Sequence, residues 1–181
     1  MEALLYEKLE GLKVRCKVCN NYCIIEPNRR GICGVRENLN GNLMAINYGK
    51  AIAVSIDPIE KKPLYEFMPR SMTYSFATEG CNLHCPWCQN HTISQIRHDK
   101  VISGYEITPF QHVEMALKYN CPSISYTYSE PTIFLEYALE TMKLAKEKGL
   151  KNIWVSNGYM SAECLDLLLP YVDAFNIDYK G

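Results

Sequence analysis

Met72-Thr73-Tyr74-Ser75-Phe76-Ala77-Thr78-Glu79-Gly80-Cys81-Asn82-Leu83-His84-Cys85-Pro86-Trp87-Cys88 is the stretch on which the fold turns. Its first half, Met72 to Thr78, reads as a buried β-strand; its second half is a loop carrying three cysteines at C-x₃-C-x₂-C spacing. Downstream, helices and strands alternate. Helices are predicted over Thr108 to Lys118, Thr132 to Lys148 and Ala162 to Leu169, and strands over Ser123 to Tyr128, Asn152 to Ser156 and Ala174 to Asp178. This alternation predicts an α/β fold with about four parallel strands, a partial (βα) barrel. Thr108-Pro109 supplies a cap followed by proline at the first helical position, and Gly149 supplies a helix stop. In a βα barrel the loops after the strands form the active face, which is where the three cysteines fall.

Upstream of this stretch the pattern differs. Leu4, Leu5 and Leu9 lie at helical spacing with Gly11 as a stop, which predicts a short amphipathic helix. Cys16, Cys19, Cys23 and Cys33 follow within eighteen residues. Asn40-Gly41 between Val35 to Leu39 and Asn42 to Ile46 predicts a β-hairpin with a type I′ turn. Asp57 to Pro69, with three prolines and Glu60-Lys61-Lys62, reads as an ordered loop or linker. The expected division is a Cys-rich N-terminal module and linker over 1–69 and a second domain over 70–181.

Composition narrows the function. The chain has 181 residues, 48% of them hydrophobic, and a net charge of −1, so a packed core is expected and a nucleic-acid backbone or anionic membrane is not an expected partner. No apolar run approaches the roughly 20 residues that cross a bilayer, and Glu2, Glu7, Lys8 and Glu10 interrupt the stretch where a signal peptide needs an apolar centre. A cytoplasmic location is expected. Nine cysteines in a reducing compartment point to metal rather than to disulfides.

Three thiolates hold three irons of a cubane and leave the fourth without a protein ligand, whereas clusters that only transfer electrons usually have four cysteines. Cys81, Cys85 and Cys88 therefore read as ligands of a [4Fe-4S] cluster with an open iron. The competing reading is a zinc knuckle completed by His84 or a distant cysteine. The four upstream cysteines fit a closed site, either a structural zinc or a second iron-sulfur cluster, with an unmetallated thiol group as the alternative. Cys121 and Cys164 read as small buried residues.

The C-x₃-C-x₂-C loop resembles the signature of the radical S-adenosylmethionine (SAM) superfamily. That resemblance implies an open iron that chelates SAM, reductive cleavage of the C5′–S bond, and a 5′-deoxyadenosyl radical that takes hydrogen from a protein or small-molecule substrate. It places Trp87 beside the adenine. It puts Ser129 and Glu130 where the superfamily has a Gly-Gly-Glu motif that contacts the SAM amino group, and adds Asn157, Asp178 and Lys180 as cofactor contacts on the following strands. The local alternatives are a Ser129 helix cap with Glu130 on the helix dipole, a tight Asn157-Gly158 turn, and a solvated strand end at Asp178.

The upstream cysteines, Val35-Arg36-Glu37-Asn38, Asp57-Pro58-Ile59-Glu60-Lys61-Lys62-Pro63-Leu64 and the loop running into Gln89-Asn90 and Ile93-Ser94-Gln95 together resemble the radical SAM component of the AmmeMemoRadiSam system, related to pyruvate formate-lyase activating enzymes. The chain departs from it at Asn20-Asn21, where Pro-His is usual. The resemblance implies an electron donor and Memo-like and AMMECR-like proteins as partners. It also implies about two further strands, so the chain reads as a truncated form, a split product or one half of a two-chain enzyme. The alternative function is a non-enzymatic iron-sulfur or zinc protein, serving as electron carrier or interaction module, or an inactive fragment.

Overall fold

The computed structural model describes residues 1–180; Gly181, the last residue of the expected second domain, lies outside them. Among the described residues twelve strands and four α-helices run in the order β1 (Tyr6–Lys8), β2 (Val14–Cys16), β3 (Ile24–Ile25), β4 (Arg36–Leu39), β5 (Asn42–Ala45), β6 (Lys50–Ala51), β7 (Ala53–Pro58), β8 (Met72–Ala77), α1 (His91–Ser94), β9 (Tyr105–Glu106), α2 (Pro109–Lys118), β10 (Ser123–Tyr126), α3 (Leu135–Glu147), β11 (Lys151–Ser156), α4 (Ala162–Leu168) and β12 (Ala174–Ile177). The main sheet has the order β12-β11-β10-β8-β7. Its first four members are mutually parallel and β7 is antiparallel to β8.

The two faces of this sheet differ. Tyr74, Phe76, Ile124, Tyr126 and Trp154 alternate onto one face and are fully or almost fully buried. On that face the stacked rings of Phe76 and His112 are 3.8 Å apart. His112 is held between two tyrosines, with Nδ1 2.8 Å from the Tyr74 hydroxyl and Nε2 2.6 Å from that of Tyr137. Tyr137 donates its own proton to the Ile107 carbonyl. It therefore accepts from a protonated Nε2, and Nδ1 accepts from Tyr74. Burial lowers the His112 pKa to about 3. The opposite face carries Ser55 and Asp57 of β7, Thr73 and Ser75 of β8 and Ser125 of β10, with Thr73 and Ser125 hydrogen bonded at 2.7 Å.

Two expectations are corrected. The leucine spacing near the N-terminus does not form a helix: Tyr6–Lys8 pairs antiparallel with Val14–Cys16, and Leu4 is exposed. Ten residues are too few to hold a helix without a packed face, and backbone pairing wins. The stretch from Asp57 is not all loop, because Asp57 and Pro58 complete β7 opposite Thr73 and Met72. Pro58 is tolerated there because β7 is an edge strand and Pro58 its last residue. The segment upstream of Arg70 thus supplies one strand of the main sheet. Asn40 and Gly41 both take positive φ between β4 and β5, as a type I′ turn requires.

The N-terminal segment is tied to helix α3 by a buried ion pair. Arg36 on β4 and Glu136 in the first turn of α3 approach to 2.7 Å with both side chains 1% exposed, and Glu136 also accepts from the Leu4 amide.

Candidate active site

The cysteine loop leaves the carboxyl end of β8 through Gly80, whose φ of +103° favours glycine. A Cβ at this position would lie 2.7 Å from the Cys33 carbonyl oxygen and 2.9 Å from the Val35 side chain. The loop therefore crosses directly over the N-terminal segment. Asn82 fastens the crossing: its carbonyl accepts from Asn21 Nδ2 at 2.8 Å and its Oδ1 accepts from Asn157 Nδ2 at 2.7 Å.

Cys81, Cys85 and Cys88 are half-buried and line one cavity of about 610 Å³. The Leu83 amide donates to Cys81 Sγ at 3.5 Å, and Cys88 Sγ lies 3.2 Å from Ser94 Oγ. Burial, reinforced by the nearby Glu130 carboxyl, pushes the Cys81 thiol up to about 12 against the pull of that amide. Trp87, Ser129, Glu130, Asn157, Asp178 and Lys180 line the same cavity. The three cysteines and the six expected cofactor contacts, drawn from four strand ends, are thus brought together. His84 is exposed and does not line the cavity.

The polar residues differ in how far they are already engaged. Glu130 is buried; its Oε1 accepts from Ser156 Oγ at 2.7 Å and from the Thr132 amide at 3.1 Å, and its Oε2 accepts from the Asn157 amide at 2.8 Å. Even so, burial outweighs these donors and raises its pKa. Glu130, rather than Ser129, caps the helical turn beginning at Pro131. Ser129 instead donates to the Thr78 carbonyl at 2.7 Å, closing β10 onto β8. Asp178 pairs with Lys180 at the β12 end, and Trp87 is 67% exposed at the cavity mouth.

Asp57, Lys61, Lys62, Tyr128, Asn90 and Ser94 also serve the cavity or its wall, and no role was assigned to them from sequence. The Asp57-x₃-Lys61-Lys62 spacing was the available signal, since it allows both ammonium groups to reach one carboxylate.

In the N-terminal set Cys16, Cys19 and Cys33 are buried and Cys23 is half-buried. Burial raises the Cys16 thiol to about 12 and the Cys33 thiol to about 11, with the Arg36 guanidinium opposing it in both. Among the described residues no three Cys, His, Asp or Glu side chains are gathered tightly enough to ligate a single metal ion, so either set of thiols must close on what it binds. The loop's donor set fits a cubane, because each of its thiolates would meet a separate iron and none has to share one centre.

A mixed α/β fold with a thiol-bearing loop at the carboxyl edge of a parallel sheet, opening into a cavity rimmed by the next three strand ends, sets soft donors beside room for a small ligand. Residues 75–181, more than half of the chain, match the Radical SAM superfamily, and the chain belongs to it. Members of that superfamily are generally enzymes that use an iron-sulfur cluster and SAM for radical chemistry. The chain is 51% identical to the uncharacterized protein MJ0808 of Methanocaldococcus jannaschii over 180 residues, 99% of this chain and 53% of that protein. It is 29% identical to the uncharacterized protein MJ0674 of the same organism over 183 residues, 98% of this chain and 48% of that one. It is 30% identical to 7-carboxy-7-deazaguanine synthase of Thermococcus kodakarensis over 119 residues, 56% of this chain and 46% of that enzyme. The chain spans about half the length of these curated relatives. No helix among the described residues is long and apolar enough to cross a membrane.

Proposed function

We propose that Cys81, Cys85 and Cys88 hold a [4Fe-4S] cluster and that the chain carries the cluster-bearing part of an enzyme cleaving SAM to a 5′-deoxyadenosyl radical. The observation that carries this reading is the placement of the three thiols on one cavity wall with Glu130, Asn157, Asp178 and Lys180 on the same cavity. When bound, the cluster supplies the electron that breaks the C5′–S bond. The protein's part is to orient SAM and exclude water. Glu130 Oε2, with a single donor among the described residues, would accept from the SAM ammonium, the Asp178–Lys180 pair would meet its polar groups, and Trp87 would lie beside the adenine.

The subtype is the AmmeMemoRadiSam component, related to pyruvate formate-lyase activating enzymes, working with an electron donor and with Memo-like and AMMECR-like proteins. The N-terminal motif and the Asp57-to-Leu64 stretch support it. Cys16, Cys19, Cys23 and Cys33 hold a second metal, zinc or an iron-sulfur cluster. Support comes from the four thiols spaced within eighteen residues and from the buried Arg36 cation, which opposes the burial that raises the Cys16 and Cys33 thiols.

Anaerobic reconstitution with iron and sulfide, reduction and addition of SAM tests the reading. The expected result is a paramagnetic spectrum shifted by SAM together with formation of 5′-deoxyadenosine. A cluster spectrum indifferent to SAM, with no 5′-deoxyadenosine, would replace the enzyme with an electron carrier.

A further inference from the structure

The polar face of the sheet leads away from the cysteine loop toward a second charged group. Asp57 lies opposite Thr73 on β8, four residues before Ala77 at the carboxyl end, which sets its backbone roughly 13 Å below the strand end while its carboxylate reaches up to the Tyr128 hydroxyl. Its Oδ2 accepts from Lys62 Nζ at 2.7 Å and from the Tyr128 hydroxyl, and its Oδ1 from Lys61 Nζ at 2.9 Å. Burial raises the cost of charging Asp57, yet these donors outweigh it and hold the carboxyl well below the usual range. Two ammonium groups on one carboxylate leave one positive charge in excess. Both lysines line the cavity that holds the cluster thiols.

Lys62 is the informative member. Its side chain is 2% exposed, and its ammonium has Asp57 as its one hydrogen-bond acceptor among the described residues. The Tyr128 ring, 4.4 Å away, takes a second N–H direction. An ammonium has three donors, so one remains for whatever enters the cavity. Tyr128 is placed at a cost. It takes φ +65°, a conformation rare for an aromatic residue, with its carbonyl fixed by Asn90 Nδ2 at 2.8 Å. A buried ion pair contributes little to stability by itself. Its place on the wall of the cavity that the three loop thiols also line is what needs an explanation.

We propose that Lys62, assisted by Lys61, is the floor of the substrate site and binds a carboxylate or phosphate of a small substrate, whose other end then faces the cysteine loop. This rests on the cavity being the site of SAM cleavage. A carboxylate could also come from SAM, so the probes are added with SAM already bound and the SAM affinity of each variant is measured beside them.

The test uses the reconstituted chain saturated with SAM, titrated with inorganic phosphate followed by phosphorus NMR line broadening, and separately with acetate followed by calorimetry. Wild type should bind at least one of them. Lys62→Met should weaken that binding tenfold or more and Lys61→Gln two- to fivefold, while the Kd for SAM stays within twofold. Lys61 is largely exposed, so Lys61→Gln decides the matter if Lys62→Met does not fold. Absence of binding to wild type, binding unchanged in the variants, or loss of SAM affinity in place of probe affinity would each overturn the proposal. Formation of 5′-deoxyadenosine is scored in parallel. If it forms without probe binding, only the floor assignment is lost; if the probe binds through Lys62 without SAM cleavage, only the enzyme reading is lost.

Discussion

Two groups of cysteines meet in this protein, and they are built in opposite ways. Cys81, Cys85 and Cys88 are half-buried on a cavity wall, on a loop whose neighbours are the carboxyl ends of parallel strands. Three of the other four, Cys16, Cys19 and Cys33, are buried in the N-terminal segment beside the Arg36 cation, and none of the four lines the cavity. The same side chain is therefore open to a cavity in one place and packed away from it in the other. A site that reacts must admit a ligand; a site that braces the fold gains by excluding one.

The largest expected effect is an exchange of phenotypes between the two groups. Cys85→Ala removes a half-exposed thiol, so 5′-deoxyadenosine formation should fall to background while stability stays within about 1 kcal/mol of wild type. Cys16→Ala should destabilise the fold by about 3 kcal/mol or more if its set binds a structural metal, and leave SAM cleavage measurable at low temperature. Denaturant unfolding and 5′-deoxyadenosine assays on both variants check this. A stable Cys16→Ala protein without SAM cleavage would break the contrast and place the N-terminal set on the electron path.

The next effect concerns the clamp between the two regions. Arg36→Met leaves Glu136 charged and buried without its partner, which costs about 3–5 kcal/mol. Unfolding midpoints should show a loss of that size, and the double variant Arg36→Met with Glu136→Leu should recover much of it. No recovery would mean that Arg36 acts mainly on the thiols it faces.

The parallel sheet and the open cysteine loop were legible because both are local. Strand Met72–Ala77 and the C-x₃-C-x₂-C spacing are contiguous, and the helices after them carry their own caps, as Thr108 and Gln111 do in their reciprocal hydrogen bonds. What was not legible depends on residues distant in sequence. The pairing of Ala53–Pro58 with Met72–Ala77 buries Asp57 on the polar face, where Lys62 reaches it; the Asp57-x₃-Lys61-Lys62 spacing allows that ion group but does not reveal the strand pairing that buries it. Leu4 and Leu5 gave a helical spacing that strand pairing overrode. Glu130 is picked out by a motif resemblance, but its cap on Thr132 and its bonds to Ser156 and Asn157 depend on the folded rim.

A smaller effect separates the helix-facing side of the sheet from the cysteine sites by pH. His112 is neutral in the fold with a pKa of about 3, against about 6.5 when unfolded. Its contribution is therefore complete above pH 6.5 and is lost progressively as pH falls from 6.5 to about 3, where the unfolded chain takes up a proton that the fold refuses. The loss should reach a few kcal/mol at the acid end, and His112→Phe should flatten the curve over that window. If the curve of wild type already lies flat there, the Tyr74–His112–Tyr137 chain is charged and the derived tautomer is wrong.

The smallest effect lies at the seam where the two cysteine regions touch. Asn82 links them through Asn21 by its backbone carbonyl and reaches Asn157 on the cavity rim by its side chain. Asn82→Ala keeps the first contact and removes the second, so it should cost only about 1 kcal/mol. A double-mutant cycle with Asn157→Ala isolates the side-chain bond, with an expected coupling of about 0.5–1.5 kcal/mol. Because Asn157 is also a proposed SAM contact, the same cycle run on SAM affinity asks a sharper question. If the seam only positions the loop, Asn82→Ala should weaken SAM binding in wild type and have no further effect once Asn157 is alanine. Additive losses would show that Asn82 and Asn157 act on the cofactor separately, and that the loop is held in register by Gly80 and the Asn21 contact alone.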